Sequence, residues 1–441
     1  MTSPLSFDEL QSILHQRIDQ WPDHRKEGPN TQYRIRDAAL GAFGIFFTQS
    51  PSFLDSQRTL QQNTGHNNAH TLLGVEQIPC DNQVRTLRDP IAPSYVDPVF
   101  VEVFERLEQH RLLAHVRVLG DQRLVAMDGT NSFSSQTIHC HHGLTRQRTN
   151  GPTLSYHAAM TPVSVCPGPS QVIALPPEYI MPQDGHAKQD CERAAGTRWI
   201  HQHAAHVAPH GVTLLGDDLS SNQPLCALVF QHRFTFILPC QPDSHATLSE
   251  RLAFWQANDG MTEREGRHGN GRFTEVTMVR SLNDVRLRSG DDALPVHWFE
   301  ITVVHATTGE QLSHHSCITN HRLNNDHVVA VAQASRGRWK IANDNNNVLK
   351  TKGYHLEHNF GHGKQYLAAC MLSLNLLAFL FHTVLEWSDD KYALLRQVLA
   401  RRQTFFHDIQ AFMRYMVFDS WDHLMDFMIR GLELESQFDT S

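Results

Sequence analysis

Two short apolar runs, far apart in the chain, each end at an aspartate: Arg123-Leu-Val-Ala-Met127 at Asp128, and Val212-Thr-Leu-Leu215 at Gly216-Asp217-Asp218. Apolar runs of this length, bounded by turn residues, read as buried strands. Phe234 to Leu238 is a third, and helical patterns lie between them at 185–207 and 224–231. Strands alternating with helices predict an α/β core. In open sheets of that class, ligands bind beyond the carboxyl ends of the strands. Asp128 and Asp217 therefore stand where chemistry is expected. Carboxylates converging there repel one another unless a hard divalent cation such as Mg²⁺ lies between them. Each aspartate would also serve as a plain turn or helix cap, since Asp-Gly is a common turn dipeptide.

The rest of the chain divides by periodicity. Residues 1–120 read as a helical N-terminal region, with Leu10, Ile13, Leu14 and Ile18 at helical spacing and further helices over 38–47 and 99–112. Within 121–240, the segments 155–165 and 171–175 read as additional strands. Residues 241–325 are β-rich, with strands at 273–279 and 298–304 and a Gly/Arg/His-rich loop at 260–272, and are taken as an insertion. The chain is helical again over 326–386 and 387–441, with long helices expected at 364–386 and 392–432. Leu367 to Leu385 is apolar enough to suggest a membrane span, but Ser373, Asn375 and His382 interrupt it and no basic cluster flanks it. A buried core helix is the expectation, with no membrane anchoring.

Hydrophobic residues make up 40% of the 441, which excludes a wholly disordered chain. The formal net charge of −8 argues against nucleic-acid binding by bulk charge, but the 30 histidines make that sum sensitive to pH, so local charge must decide. The eight cysteines are dispersed without a C-x-x-C pair, which reads as reduced thiols in a cytoplasmic protein. The N-terminus lacks a basic stretch followed by an apolar run, so no secretory signal is expected.

Three stretches carry a resemblance. LVAMDGTNSFSSQTIHC, GVTLLGDDLSSNQPLC followed by FTFILPCQPDSH, and GRWKIANDNNNVLKTKGYHLEHNFGHGKQYL together resemble bacterial insertion-sequence transposases of the DDE type. Weaker likeness runs through FFTQSPSFL and DNQVRTLRDPIAP to FDSWDHLMDFM, so nearly the whole chain takes part. The resemblance implies an RNase H-like core formed by 121–240 and 326–386 and split by the β-rich block. It also implies two Mg²⁺ or Mn²⁺ ions per active site, with Asp128 shared by both and Asp217, or alternatively Asp218, holding one. The implied activity is nicking of the element's own DNA ends and joining of the freed 3′-hydroxyls to target DNA. A homodimer or larger assembly on double-stranded DNA, in a bacterial cytoplasm and nucleoid, belongs to the same expectation.

One position departs from that family. Its third acid resembles the Glu of R-W-x-[IV]-E-N, whereas this chain reads Arg338-Trp-Lys-Ile-Ala342-Asn. Alanine cannot coordinate a cation. Glu357 is the alternative third acid, separated from Lys364 by six residues as in the Glu-to-Lys spacing of the family, though Gly353 stands where the family has an arginine. Asp344 should lie on a different helix face. Arg338, Lys350, Lys352 and Lys364, with Arg336 and Lys340, form a basic cluster suited to phosphate contacts. Arg264, Arg267 and Arg272 form a second cluster, and Arg146 and Arg148 a third. Trp339 or Trp298 would stack on an exposed base.

The histidines invite a zinc reading, at His139-Cys140-His141-His142 or at His358 and His362. Contiguous donors rarely close a tetrahedron, and Gly361 and Gly363 break the helix the second pair needs. Residues 183–192, QDGHAKQDCE, open a helix and either reach the rim of the active site or serve in capping through Asp184.

Overall fold

The computed structural model describes residues 5–435 except 27, 29–30, 149–150, 183–190, 270–273 and 326. Six helices come first: α1 (Phe7–Ile18), α2 (Ile35–Phe47), α3 (Phe53–Gln61), α4 (Asn63–Leu73), α5 (Asp81–Arg88) and α6 (Asp97–Gln109). The chain continues through β1 (Arg123–Ala126), β2 (Gly129–Ser135), β3 (Leu144–Arg146), β4 (Leu154–Met160), β5 (Val163–Val165), β6 (Ile173–Ala174) and β7 (Glu178–Ile180). Then follow α7 (Glu192–Val207), β8 (Val212–Leu215), α8 (Gln223–Gln231), β9 (Thr235–Pro239) and α9 (Ala246–Ala257). Four longer strands come next, β10 (Thr262–Gly269), β11 (Thr274–Arg286), β12 (Pro295–His305) and β13 (Gln311–Thr319). The chain closes with α10 (Val328–Ser335), α11 (Asn347–Thr351), α12 (Leu367–Ser388), α13 (Asp390–Val398), α14 (Arg402–Tyr415) and α15 (Trp421–Gly431).

A mixed sheet of nine strands, ordered β10-β11-β12-β13-β9-β8-β1-β5-β6, forms the centre. The pairs β1–β8 and β8–β9 are parallel, and every other pair in it is antiparallel. All four residues of both β1 and β8 are buried, so their unbroken apolar runs reflect burial on both faces. The expected strand over 155–165 is divided. Its first part, β4, pairs with β2, β3 and β7 in a small second sheet, whereas β5 joins the large one. Pro162 at the break lacks an N–H to continue a ladder. The register is nevertheless continuous: Ala126 faces Val163 and Gly129 faces Met160, so one long antiparallel pair bends from sheet to sheet at Asp128 and Thr161.

The β-rich block extends the central sheet through β13 on β9 and is not a separate layer. Residues 260–272, expected as a loop, instead carry strand β10, whose Arg264 and Arg267 face Val279 and Val276 across the ladder; Arg272 lies outside the described residues. The alternation of polar side chains there has no apolar member to give a strand signal, and the long partner β11 supplies the pairing. The single helix expected over 392–432 is three helices, α13, α14 and α15. Ser420 caps α15 by accepting from the His423 N–H at 3.1 Å, and Asp389 caps α13 in the same way from Tyr392.

The N- and C-terminal helices pack into one body. Asn68 Nδ2 donates to the Met413 and Met416 carbonyls at 2.8 and 2.7 Å, and Trp421 Nε1 donates to the Leu72 carbonyl. By length and composition α12 is apolar enough to cross a membrane, yet it is mostly buried within the protein. The polar residues that interrupt it each find a partner inside: Ser373 the Tyr179 hydroxyl, the Asn375 Nδ2 the Tyr354 carbonyl, and His382 the Tyr354 hydroxyl and Phe47 carbonyl. That is how a core helix uses polar side chains.

The first residue of α6, Asp97, gives the fold a pH dependence. Its Oδ1 is sealed from solvent and unpartnered, and burial, with a contribution from the charge of Glu178, pushes its carboxyl from 3.8 to about 7. Below pH ~4 both folded and unfolded chains hold the proton; between there and pH 7 only the folded chain does; above that the folded chain must bury a charge. Stability should therefore fall by on the order of 2–4 kcal/mol as pH rises through this window. Asp97→Asn removes the ionisation, so thermal denaturation should show a smaller Tm difference between pH 5 and pH 8 than in the parent. Equal Tm losses at both pH values would contradict the assignment.

Candidate active site

The strand register decides which aspartates can meet. On the parallel pair β1–β8, Ala126 lies opposite Leu215, and Asp128 and Asp217 each follow by two residues. Period-two alternation therefore aims both to one side and Asp218 to the other. The bonding agrees. Asp218 Oδ1 accepts from the Gln241 N–H at 2.8 Å and Oδ2 from Ser244 Oγ at 2.5 Å, so this carboxylate anchors the turn after β9. Asp128 and Asp217 use only Oδ1 locally, Asp128 for the Gly129 N–H at 3.1 Å and Asp217 for Ser220 N–H and Oγ at 3.1 and 2.9 Å. The capping role therefore exists, yet Oδ2 of each has no hydrogen-bond partner among the described residues.

A third carboxylate arrives from α7. Glu192 opens that helix, and a β-carbon placed on Gly129 would lie 2.2 Å from its Oε1, so the carboxylate rests on the backbone beside Asp128. A side chain at 129 would push that carboxylate aside. Burial pushes the Asp128 carboxyl up, and the charge of Asp217 adds to it; the Arg338 guanidinium and the Gly129 N–H oppose the shift. Burial raises Glu192 as well, reinforced by the charges of Asp128 and then Asp217. The charge of Asp217 thus reaches both Asp128, at the end of the adjacent strand, and Glu192, at the start of α7.

The segment that carries position 342 passes over these strands. Between α10 and α11 it tightens to a 3₁₀ turn at Arg336–Arg338 and loosens to a π-helix at Ile341–Asn346. A β-carbon on Gly337 would come within 3.1 Å of Leu124, 3.3 Å of Leu215 and 3.4 Å of Val165, so the backbone rests directly on β1, β8 and β5. Arg338 acts on Asp128 electrostatically, and Asn346 Oδ1 accepts from Thr161 Oγ1 at 2.9 Å. Thr161 in turn donates its N–H to the Asp128 carbonyl. Ala342, four residues from each of Arg338 and Asn346, is exposed.

The other candidates fall elsewhere. Glu357 is exposed, pairs with Lys350 at 2.9 Å, and is not among the acids whose charge acts on Asp128 or Glu192. Asp344 pairs with Lys340 at 3.2 Å and lines a cavity of about 910 Å³ with Lys352 and Arg401 rather than the acids. Trp339 is 63% exposed and free to stack, whereas Trp298 is buried at 4% and cannot. Lys352 and Lys364 are exposed, and Arg146 and Arg148 lie on the surface of the small sheet. Asp184 lies outside the described residues, and the helix it was expected to cap begins at Glu192. All eight cysteines are free.

No protein-family model and no curated protein sequence matches the chain.

The sequence places the segment 183–192 at the rim of the active site or in capping, without singling out Glu192 at its end. Its signal was its place at the end of a polar segment directly before an amphipathic helix; nothing local says that this helix starts beside β1.

Proposed function

We propose that this chain carries the DNA strand-transfer core of a DDE-type transposase, acting on the ends of its own element and held at low cleavage activity by Ala342. The observation that carries this reading is the convergence of Asp128 and Asp217 from adjacent parallel strands, beneath the segment bearing Arg338 and Ala342. The order β6-β5-β1-β8-β9, three antiparallel strands followed by two parallel to the first, supports an RNase H-like centre. Mutually repelling carboxylates with unpartnered oxygens fit a hard divalent cation. Asp128 and Asp217 would hold Mg²⁺ or Mn²⁺, and Glu192 adds a neighbouring carboxylate. When bound, such ions neutralise charge on a phosphodiester and activate the attacking oxygen.

The protein's own groups then have defined tasks. Arg338 balances the acids and offers a guanidinium to a phosphate oxygen. Lys350, Lys352 and Lys364 suit backbone phosphates, and Trp339 an unpaired base. Ala342 itself favours a second reading, a transposase-derived DNA-binding protein that no longer cuts. Binding is common to both readings and has its own test. Affinity for element-end DNA, taken from the inverted repeats beside the gene, should fall about 10³-fold between 50 and 200 mM salt, as for ~6 neutralised phosphates. A flat salt response would contradict a phosphate-dominated interface.

A further inference from the structure

The two histidine-rich stretches fail as metal sites taken singly, but the fold draws one donor from each and adds a third from β4. Cys140 Sγ lies 3.1 Å from His157 Nε2, which lies 3.0 Å from His362 Nδ1, and the three donor atoms fall within 4.8 Å of one another. A tetrahedral zinc ion, with sulfur at ~2.3 Å and nitrogen at ~2.0 Å, holds such donors roughly 3.3–3.6 Å apart. A few tenths of an ångström of opening would admit the ion.

The donors are firmly mounted. His157 sits in the β4 ladder opposite Phe133, and the His362 ring packs on both, with centroids 4.2 Å from Phe133 and 5.1 Å from His157. The chain reaches His362 through Gly361 and leaves through Gly363, both at positive φ, 115° and 66°. Just beyond, Asp89 accepts the N–H groups of Lys364, Gln365 and Leu367 at 2.8, 2.9 and 3.2 Å, tying the loop down. His142, His157, His362 and Gln365 share a cavity of about 20 Å³, room for one water or one ion. A thiol with two imidazoles and no carboxylate selects zinc-type ions over Mg²⁺.

We propose that Cys140, His157 and His362 bind a zinc-type ion, with its fourth position open to the adjoining cavity, and that the ion clamps the connection between α11 and α12 onto the small sheet. The rival is a cluster held by Cys–His and His–His hydrogen bonds alone.

Cobalt titration of metal-stripped, full-length protein separates the two. With excess Mg²⁺ present to occupy the carboxylate site, one equivalent should bind and give thiolate-to-cobalt charge-transfer absorption in the near ultraviolet. Cys140→Ser should lose that absorption, and His157→Gln and His362→Ala should each weaken binding by about 100-fold or more. His141→Ala, exposed and next to Cys140, should bind like the parent. Zinc should raise the parent's Tm and leave that of Cys140→Ser unmoved, with far-ultraviolet circular dichroism confirming that each variant is folded. Absence of the thiolate band, or equal cobalt affinity in parent and Cys140→Ser, would overturn the proposal.

Discussion

Ala342→Glu is expected to raise Mg²⁺-dependent nicking of element-end DNA by about 100-fold or more, ~2.7 kcal/mol of barrier. The cost to the fold should be small, because position 342 is exposed and a longer side chain there displaces no packed group. The gain follows from where the segment lies. Arg338 acts on Asp128, Asn346 is tied through Thr161 to the Asp128 backbone, and position 342 lies midway between the two in the chain. Glu192 gives an internal control, since the charges of both Asp128 and Asp217 act on it. Glu192→Gln should lower any residual cutting by the Ala342 form more than it lowers cutting by the revertant. Strong cutting by the Ala342 form that disappears with Glu357→Gln would instead restore Glu357 as the third acid.

Asp128→Asn and Asp217→Asn, each made in the Ala342→Glu background, should reduce nicking by about 10³-fold or more, ~4 kcal/mol of barrier. These substitutions isolate charge from structure. Asparagine can still accept from the Gly129 N–H, and at 217 it remains a competent cap for Ser220, so Tm should move little. Asp218→Asn is the mirror case. It leaves the strand-end pair intact but weakens the hydrogen bonds to Gln241 and Ser244, so cutting should persist while stability falls by about 1 kcal/mol. If Asp218→Asn abolished cutting and Asp217→Asn did not, the register argument would be wrong.

The α/β core was legible because β1, β8 and β9 are buried on both faces and therefore read as unbroken apolar runs. Strand alternation says only that one of Asp217 and Asp218 faces a site, and nearness to the strand end favours Asp217; the equivalent positions of Asp128 and Asp217 after β1 and β8 become visible only in the parallel register. The bend at Asp128 and Thr161 was not legible, because one continuous register crosses two sheets and the sequence records only an extended stretch. Strand β10 was missed because its residues are polar on both faces and its pairing comes from β11. Glu192 and the Cys140–His157–His362 cluster depend on contacts between segments distant in the chain, which local spacing does not encode. Trp298 illustrates the reverse case: its place in the strand-like run 298–304 already suits a core aromatic, and it is buried.

The account stands on Asp128 and Asp217 acting together on one cation. Mn²⁺ titration followed by electron paramagnetic resonance, with Mg²⁺ as competitor, tests this without DNA and without cleavage. The parent should bind Mn²⁺ in competition with Mg²⁺, Asp128→Asn and Asp217→Asn should each weaken binding at least ~10-fold, and Asp218→Asn should leave it unchanged. Binding that is indifferent to both Asp128→Asn and Asp217→Asn would contradict the account.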